Sequence, residues 1–178
     1  MSLVGLSAPA FRLPALRDGR PDGEARLEDF RGRWLVLFFY PGDFTFVCPT
    51  ELRALAARAD ELRRREAEAL LVSTDSVYSH LAWTETAPDR GGIGSMPFAM
   101  ASDRRLDMSR AYGVLDESDG TSQRATVIID PEGLVRLCLV HDASVGRSVD
   151  ELLRVLDALR SGELCPVDWH LGDPHLTR

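Results

Sequence analysis

One segment constrains this chain more than any other: residues 34–40, WLVLFFY, an unbroken apolar run closed by Pro41-Gly42. The run has strand length and is apolar at every position instead of every second one, so both faces of the strand must be covered. A strand of that kind lies inside a sheet with helices on either side. Just beyond it, Leu52, Leu55, Ala56, Ala59 and Leu62 recur at helical spacing. Pro49 suits a first helical turn and acidic Glu51 stands just behind it, so the spacing predicts a helix that starts at or next to Cys48.

The remainder alternates in the same way. Residues 70–73 read as a second strand, residues 79–83 as helix, Gly91, Gly92 and Gly94 as a loop, residues 98–101 as a short strand and residues 106–112 as helix. Two further strands, 125–129 and 134–140, flank Asp130-Pro131-Glu132-Gly133, whose composition predicts a tight turn and an antiparallel hairpin. Ser148 with Glu151 three residues on reads as a capping box. It opens a closing helix whose core face is Val149, Leu152, Leu153, Leu156 and Leu159. The order βαβ, a helical insertion, then ββα is the plan of a thioredoxin-like α/β domain with a central mixed sheet. At 178 residues the chain suits one domain, read here as residues 1–160 followed by a short C-terminal segment, 161–178.

Charge and composition remove several classes of function. A net charge of −7 argues against nucleic acid, because binding phosphate needs a basic face. Arg63, Arg64 and Arg65 stand among Glu61, Glu66 and Glu68, as on a solvated helix face. No lysine occurs anywhere, which removes Schiff-base chemistry and Walker-type phosphate loops. No apolar run is long enough to cross a bilayer and residues 1–13 lack a secretory pattern, so the cytoplasm is the expected compartment. Three cysteines are too few for a disulfide scaffold and are expected to be redox-active or simply buried.

Cys48 stands where the buried strand leads into a helix. A cysteine there meets unpaired backbone N–H groups and the positive end of the helix dipole, both of which favour a thiolate. Thr45, three residues upstream, can turn its hydroxyl toward the same pocket, and Pro41, with no N–H, can wall it off from water. Cys138, inside the strand pattern Leu137-Cys138-Leu139-Val140, reads as an inert packing residue. Cys165 follows Ser161-Gly162 in a terminal segment whose context permits thiol exchange. His170 and His175 near it lack the cysteine pair of a structural zinc site, so no metal is expected, and no cofactor. Trp83 and Trp169 read as packing or interface residues.

The stretch FFYPGDFTFVCPTE, with Pro41, Thr45 and Cys48 in the spacing P-x-x-x-T-x-x-C, resembles the active-site motif of the typical two-cysteine peroxiredoxins. Similarity extends over most of the chain, including Ser122-Gln123-Arg124-Ala125, Gly146-Arg147-Ser148 and Gly162-Glu163-Leu164-Cys165-Pro166 with Trp169. The resemblance implies a thioredoxin-like fold with an N-terminal extension and helical insertion, and a thiol peroxidase acting on hydrogen peroxide and small organic hydroperoxides. It also implies that Cys48 attacks the peroxide, Pro41 and Thr45 shape its pocket, Arg124 brings positive charge to the sulfur, and Glu51 and Arg147 hold Arg124. Cys165 would resolve the resulting sulfenic acid as a disulfide, across two subunits or within one.

Further implications of the resemblance are a homodimer able to assemble into a ring of dimers, and reduction by thioredoxin or a flavoprotein disulfide reductase. A redox-regulated holdase chaperone or peroxide-signalling partner is the alternative reading. Only thirteen residues follow Cys165, without the helix ending in Tyr-Phe of peroxide-sensitive relatives, so Cys48 is expected to resist over-oxidation. A thiol of ordinary pKa is about 3% ionised at neutral pH, so complete ionisation gains only about 30-fold. The rest of a peroxidase's rate must come from contacts that tighten as the O–O bond breaks, and Arg124 and Thr45 are the candidates.

Overall fold

The computed structural model describes residues 2–177. In chain order the elements are β1 (Arg12–Arg17), β2 (Arg20–Arg26), β3 (Trp34–Phe39), α1 (Cys48–Ala57), α2 (Ala59–Arg64), β4 (Ala67–Ser73), α3 (Val77–Glu85), β5 (Ala99–Ser102), α4 (Asp107–Ala111), β6 (Leu115–Asp116), β7 (Thr121–Ser122), β8 (Arg124–Ile129), β9 (Val135–His141) and α5 (Val149–Ser161). Seven strands form one mixed sheet in the order β2-β1-β5-β4-β3-β8-β9, and β6 pairs with β7 separately. β3 runs parallel to β4 and β4 to β5, whereas β8 is antiparallel to both β3 and β9.

The apolar run behaves as its composition requires. Side chains alternate across a strand. Val36, Phe38 and Tyr40 therefore pack with Leu52, Leu55, Trp83 and Leu156 in one core, which also holds Cys48. Leu35, Leu37 and Phe39 pack with Phe11, Leu27, Met108 and Tyr112 in a second core on the opposite face. Each of these buried side chains contributes on the order of 1.5–3 kcal/mol, so the loop that leaves β3 departs from a firmly held point.

Three details depart from the sequence reading. The stripe from Leu52 to Leu62 is carried by two helices. At Arg58 the backbone leaves helical geometry (φ −106°, ψ 16°), its N–H turning to the Leu55 carbonyl while its guanidinium binds Glu61 and Asp150. The β1–β2 hairpin was not read at all, although Asp18-Gly19 is its signal. Both residues have positive φ, 51° and 72°, as a primed hairpin turn demands. The capping box at α5 is half made. Ser148 Oγ accepts from the Glu151 N–H, but the Glu151 carboxylate is taken by Arg154.

Candidate active site

Cys48 is the first residue of α1 and is fully buried, at 0% exposure. Its sulfur thus stands at the helix end, where the first backbone N–H groups have no intrahelical partner. One turn on, Glu51 points from the same helix into the same interior. Arg124 arrives from the start of β8, and its Nη1 lies 3.6 Å from Cys48 Sγ. The same nitrogen donates to Glu51 Oε2, while Nε and Nη2 both donate to the Ala143 carbonyl, at 3.2 and 2.7 Å. All three guanidinium nitrogens are therefore committed, and the face toward sulfur has one orientation.

Arg147 enters from the loop before α5 and grips the other side of Glu51. Its Nε and Nη2 donate to the two carboxylate oxygens at 2.9 Å each, and its backbone N–H adds a third bond at 2.7 Å. Nη1 donates to the carbonyls of Phe39 and Ala125, tying the ends of β3 and β8 together, and the guanidinium carbon lies 3.3 Å above the centre of the Phe38 ring. Burial alone would push the Glu51 carboxyl up. The hydrogen bonds and charge of Arg147, helped by the charge of Arg124, outweigh it and hold the carboxyl below its ordinary range. Burial likewise pushes the Arg147 guanidinium down, against the pull of Glu51. One carboxylate thus faces two guanidinium groups, which leaves one positive charge for the sulfur to meet.

The cover of the site is the loop from β3 to α1. Pro41 is half-buried, while Phe44, Thr45 and Phe46 are exposed. Thr45 Oγ1 donates its hydrogen to the Gly42 carbonyl at 2.9 Å, which leaves the hydroxyl oxygen free to accept from an incoming O–H. Beneath this loop lies a group the sequence reading missed. Asp43 Oδ1 accepts from Tyr40 Oη at 2.9 Å, Asp43 Oδ2 faces His80 Nδ1 at 2.8 Å, and the Asp43 N–H donates to Asp75 Oδ2 at 2.9 Å. His80 lies 37 residues from Asp43 in sequence, and no local spacing signals the pairing.

The other two cysteines have different settings. Cys165 is half-buried beyond the end of α5, and its sulfur touches Ser161 Oγ at 3.5 Å and the carbonyls of Ala158 and Glu163 at 3.8 Å, all its near neighbours in sequence. Cys138 packs on the edge of the second core, and burial pushes its thiol up. Cys48, Glu51, Arg124 and Arg147 thus converge, Pro41 and Thr45 stand on the loop that leads into Cys48, and the contacts of Cys165 stay within its own segment. Trp83 and Trp169 are both buried packing residues.

Chemically, the arrangement holds a buried sulfur against a fixed cation, which favours a thiolate and can stabilise negative charge that develops beside it. Residues 4–138 match the model of the AhpC/TSA family. The chain is 51% identical over 175 residues to a Clostridium pasteurianum protein whose name places it among the peroxiredoxins and in the rubredoxin operon, covering 98% of each. It is 46% identical over 175 residues to a thioredoxin peroxidase of Echinococcus granulosus, covering 96% of this chain and 90% of that one. Among solved structures, the reduced 2-Cys peroxiredoxin of Plasmodium vivax superimposes with a TM-score of 0.94 at 41% identity, over 98% of this chain and 93% of the other.

Proposed function

This chain belongs to the AhpC/TSA family of peroxiredoxins and is a thiol-dependent peroxidase, and from that premise we propose that Cys48 attacks the peroxide and Cys165 resolves the product. The observation that carries the assignment is the contact of Arg124 Nη1 with Cys48 Sγ at 3.6 Å, in a guanidinium whose other bonds leave it no second orientation.

The Cys48 thiolate attacks one oxygen of HO–OR. An S–O bond forms, the O–O bond breaks, and the leaving alkoxide or hydroxide takes a proton to depart as alcohol or water. Arg124 is aimed at the oxygen that gains charge, and Thr45 accepts the peroxide O–H, so both contacts strengthen in the transition state. Cys48 is then a sulfenic acid. The Cys165 thiolate attacks its sulfur, the S–O bond breaks, hydroxide leaves as water, and a disulfide forms.

The resolving sulfur belongs, on this reading, to a second copy of the chain. Arg147, just before α5, touches the Cys48 cluster, whereas Cys165 follows the far end of that thirteen-residue helix, about 20 Å away at 1.5 Å per residue. The residues from the end of α5 to Cys165 reach about 14 Å fully extended. A homodimer also agrees with β9, which is an edge strand with Leu139 and Val140 exposed. The reductant that returns the disulfide to two thiols is thioredoxin or a flavoprotein disulfide reductase, and the working compartment is the cytoplasm.

The assignment of the two sulfurs is tested by treating Cys165→Ser with one equivalent of hydrogen peroxide and trapping sulfenic acid with dimedone. The adduct is expected on Cys48 in near-stoichiometric yield. An adduct on Cys138 instead, or an unmodified Cys48, would overturn the assignment.

A further inference from the structure

Resting on the reading of Cys48 as the peroxide-attacking residue, we propose that His80 and Asp43 are positioning residues for that attack. They lock the start of the cover loop and so fix the wall and the hydrogen-bond acceptor that the peroxide meets.

The loop between β3 and α1 has two unlike halves. Tyr40 is fully buried, as is the Asp43 side chain at 1% exposure, whereas Phe44 and Phe46 stand 51% and 95% exposed. The change falls at Asp43, whose three polar connections run to three elements. Its carboxylate takes the Tyr40 hydroxyl, from the end of β3, and the His80 imidazole, from α3. Its N–H goes to Asp75, which also accepts from Ser73 Oγ at the end of β4 and whose carbonyl accepts from Ser102 Oγ at the end of β5. A carboxylate has no hydrogen to give, so His80 Nδ1 carries the hydrogen of that bond. The imidazole is itself 0% exposed and fits no role in the sulfur chemistry.

Between the two pinned residues lie Pro41 and Gly42. Pro41 is the residue expected to wall the pocket, and the Gly42 carbonyl holds the Thr45 hydrogen, so the position of Asp43 is passed to the oxygen proposed to accept from the peroxide. Immediately after the anchor, Phe44 adopts φ +54°, a region bulky side chains avoid, with its ring 6.0 Å from that of Trp83. Without the anchor nothing obliges the backbone to hold that conformation, and the wall and the acceptor would drift together.

The test separates the two imidazole nitrogens. In His80→Asn the amide nitrogen can occupy the place of Nδ1 and keep the bond to Asp43. In His80→Gln the amide lies further out, toward the Ala101 carbonyl that faces Nε2, and the Asp43 bond is lost. Two rates are read on each folded variant: oxidation of Cys48 by hydrogen peroxide, and alkylation of Cys48 by iodoacetamide, which needs a reactive sulfur but no peroxide pocket. Because small misplacements of a reacting group are costly, His80→Gln is expected to lose about tenfold in peroxide rate, His80→Asn to stay within about threefold of wild type, and alkylation to stay near wild type in both. Should His80→Gln fail to fold, Tyr40→Phe removes the hydroxyl that donates to the same carboxylate and is expected to lose about threefold in peroxide rate alone. A wild-type peroxide rate in the informative variant, equal losses in Asn and Gln, or a parallel fall in alkylation would overturn the proposal. Failure of wild-type Cys48 to be oxidised in the same assay would instead defeat the assignment on which it rests.

Discussion

The surroundings of Cys48 and of Cys165 are opposites. Around Cys48 the charged groups are held by bonds from α1, β8 and the loop before α5, and the sulfur has no exposed surface. Around Cys165 the contacts come from its own stretch of chain, and Leu164, Val167, Leu171 and Leu176 stand exposed. The segment is nonetheless tied. Trp169 is buried at 2%, Arg154 donates to its carbonyl, and the Leu176 N–H closes back on the Leu164 carbonyl. On the proposed roles this contrast divides the work: the attacking sulfur has partners that cannot move, and the resolving sulfur has partners that are few and local. On the proposed cycle, a sulfur in a residue at 0% exposure in the first turn of α1 can be reached by a small peroxide but not by the side chain of a second cysteine, so that turn must open before the disulfide forms.

Replacing Arg124 removes the fixed cation beside Cys48. Arg124→Ala is expected to lower the peroxide rate about a hundredfold, as when one transition-state donor is removed, and to lower alkylation of Cys48 far less. Stopped-flow oxidation beside iodoacetamide labelling checks this. Equal losses in the two rates would mean that the arginine only ionises the sulfur.

Glu51→Gln tests how firmly the same side is built. Removing the carboxylate leaves two buried guanidinium groups without their shared partner, at an expected cost of about 3 kcal/mol read by chemical denaturation. The sign of the pH effect follows from the lowered Glu51 value. A carboxyl held below its unfolded value contributes its full stability above that value, about 4.3, and loses it as pH falls through the folded one. The gap between wild type and Glu51→Gln should therefore be constant from pH 7 down to about 5 and close below about 4.3. A gap that does not narrow in acid would contradict the assigned ion pairing.

Cys138→Ala belongs to neither region and serves as the control. It is expected to cost about 1 kcal/mol or less, being a small change at a half-buried position, and to leave both steps of the cycle within about twofold of wild type.

How much of this was legible in the sequence depended on the range of the interaction. The buried strand, the helix starting at Cys48 and the 125–140 hairpin follow from local pattern, and all stand in the fold. The Asp18-Gly19 hairpin was equally local and was passed over, because charged and small residues hide the alternation in β2. At the site, Cys48 could be reached by its place before a helix. Glu51 and Arg147 could not, since their bond joins residues 96 apart, and they came only through resemblance to relatives. Asp43 and His80 both lie in stretches that resemble the family, yet neither route gave them a role. An aspartate in a loop and a histidine in a helix carry no local sign that the fold buries them against one another.

In the proposed cycle, a sulfur fixed in one copy of the chain is resolved by a tethered sulfur from another. Non-reducing gel electrophoresis with peptide mass spectrometry, applied to wild type, Cys48→Ser and Cys165→Ser after one equivalent of hydrogen peroxide, tests it most directly. A covalent dimer is expected in wild type, mapped to Cys48–Cys165 and absent from both variants. A Cys48–Cys165 bond found within monomers would contradict the intersubunit claim, and an unoxidised Cys48 would contradict the assignment of the site.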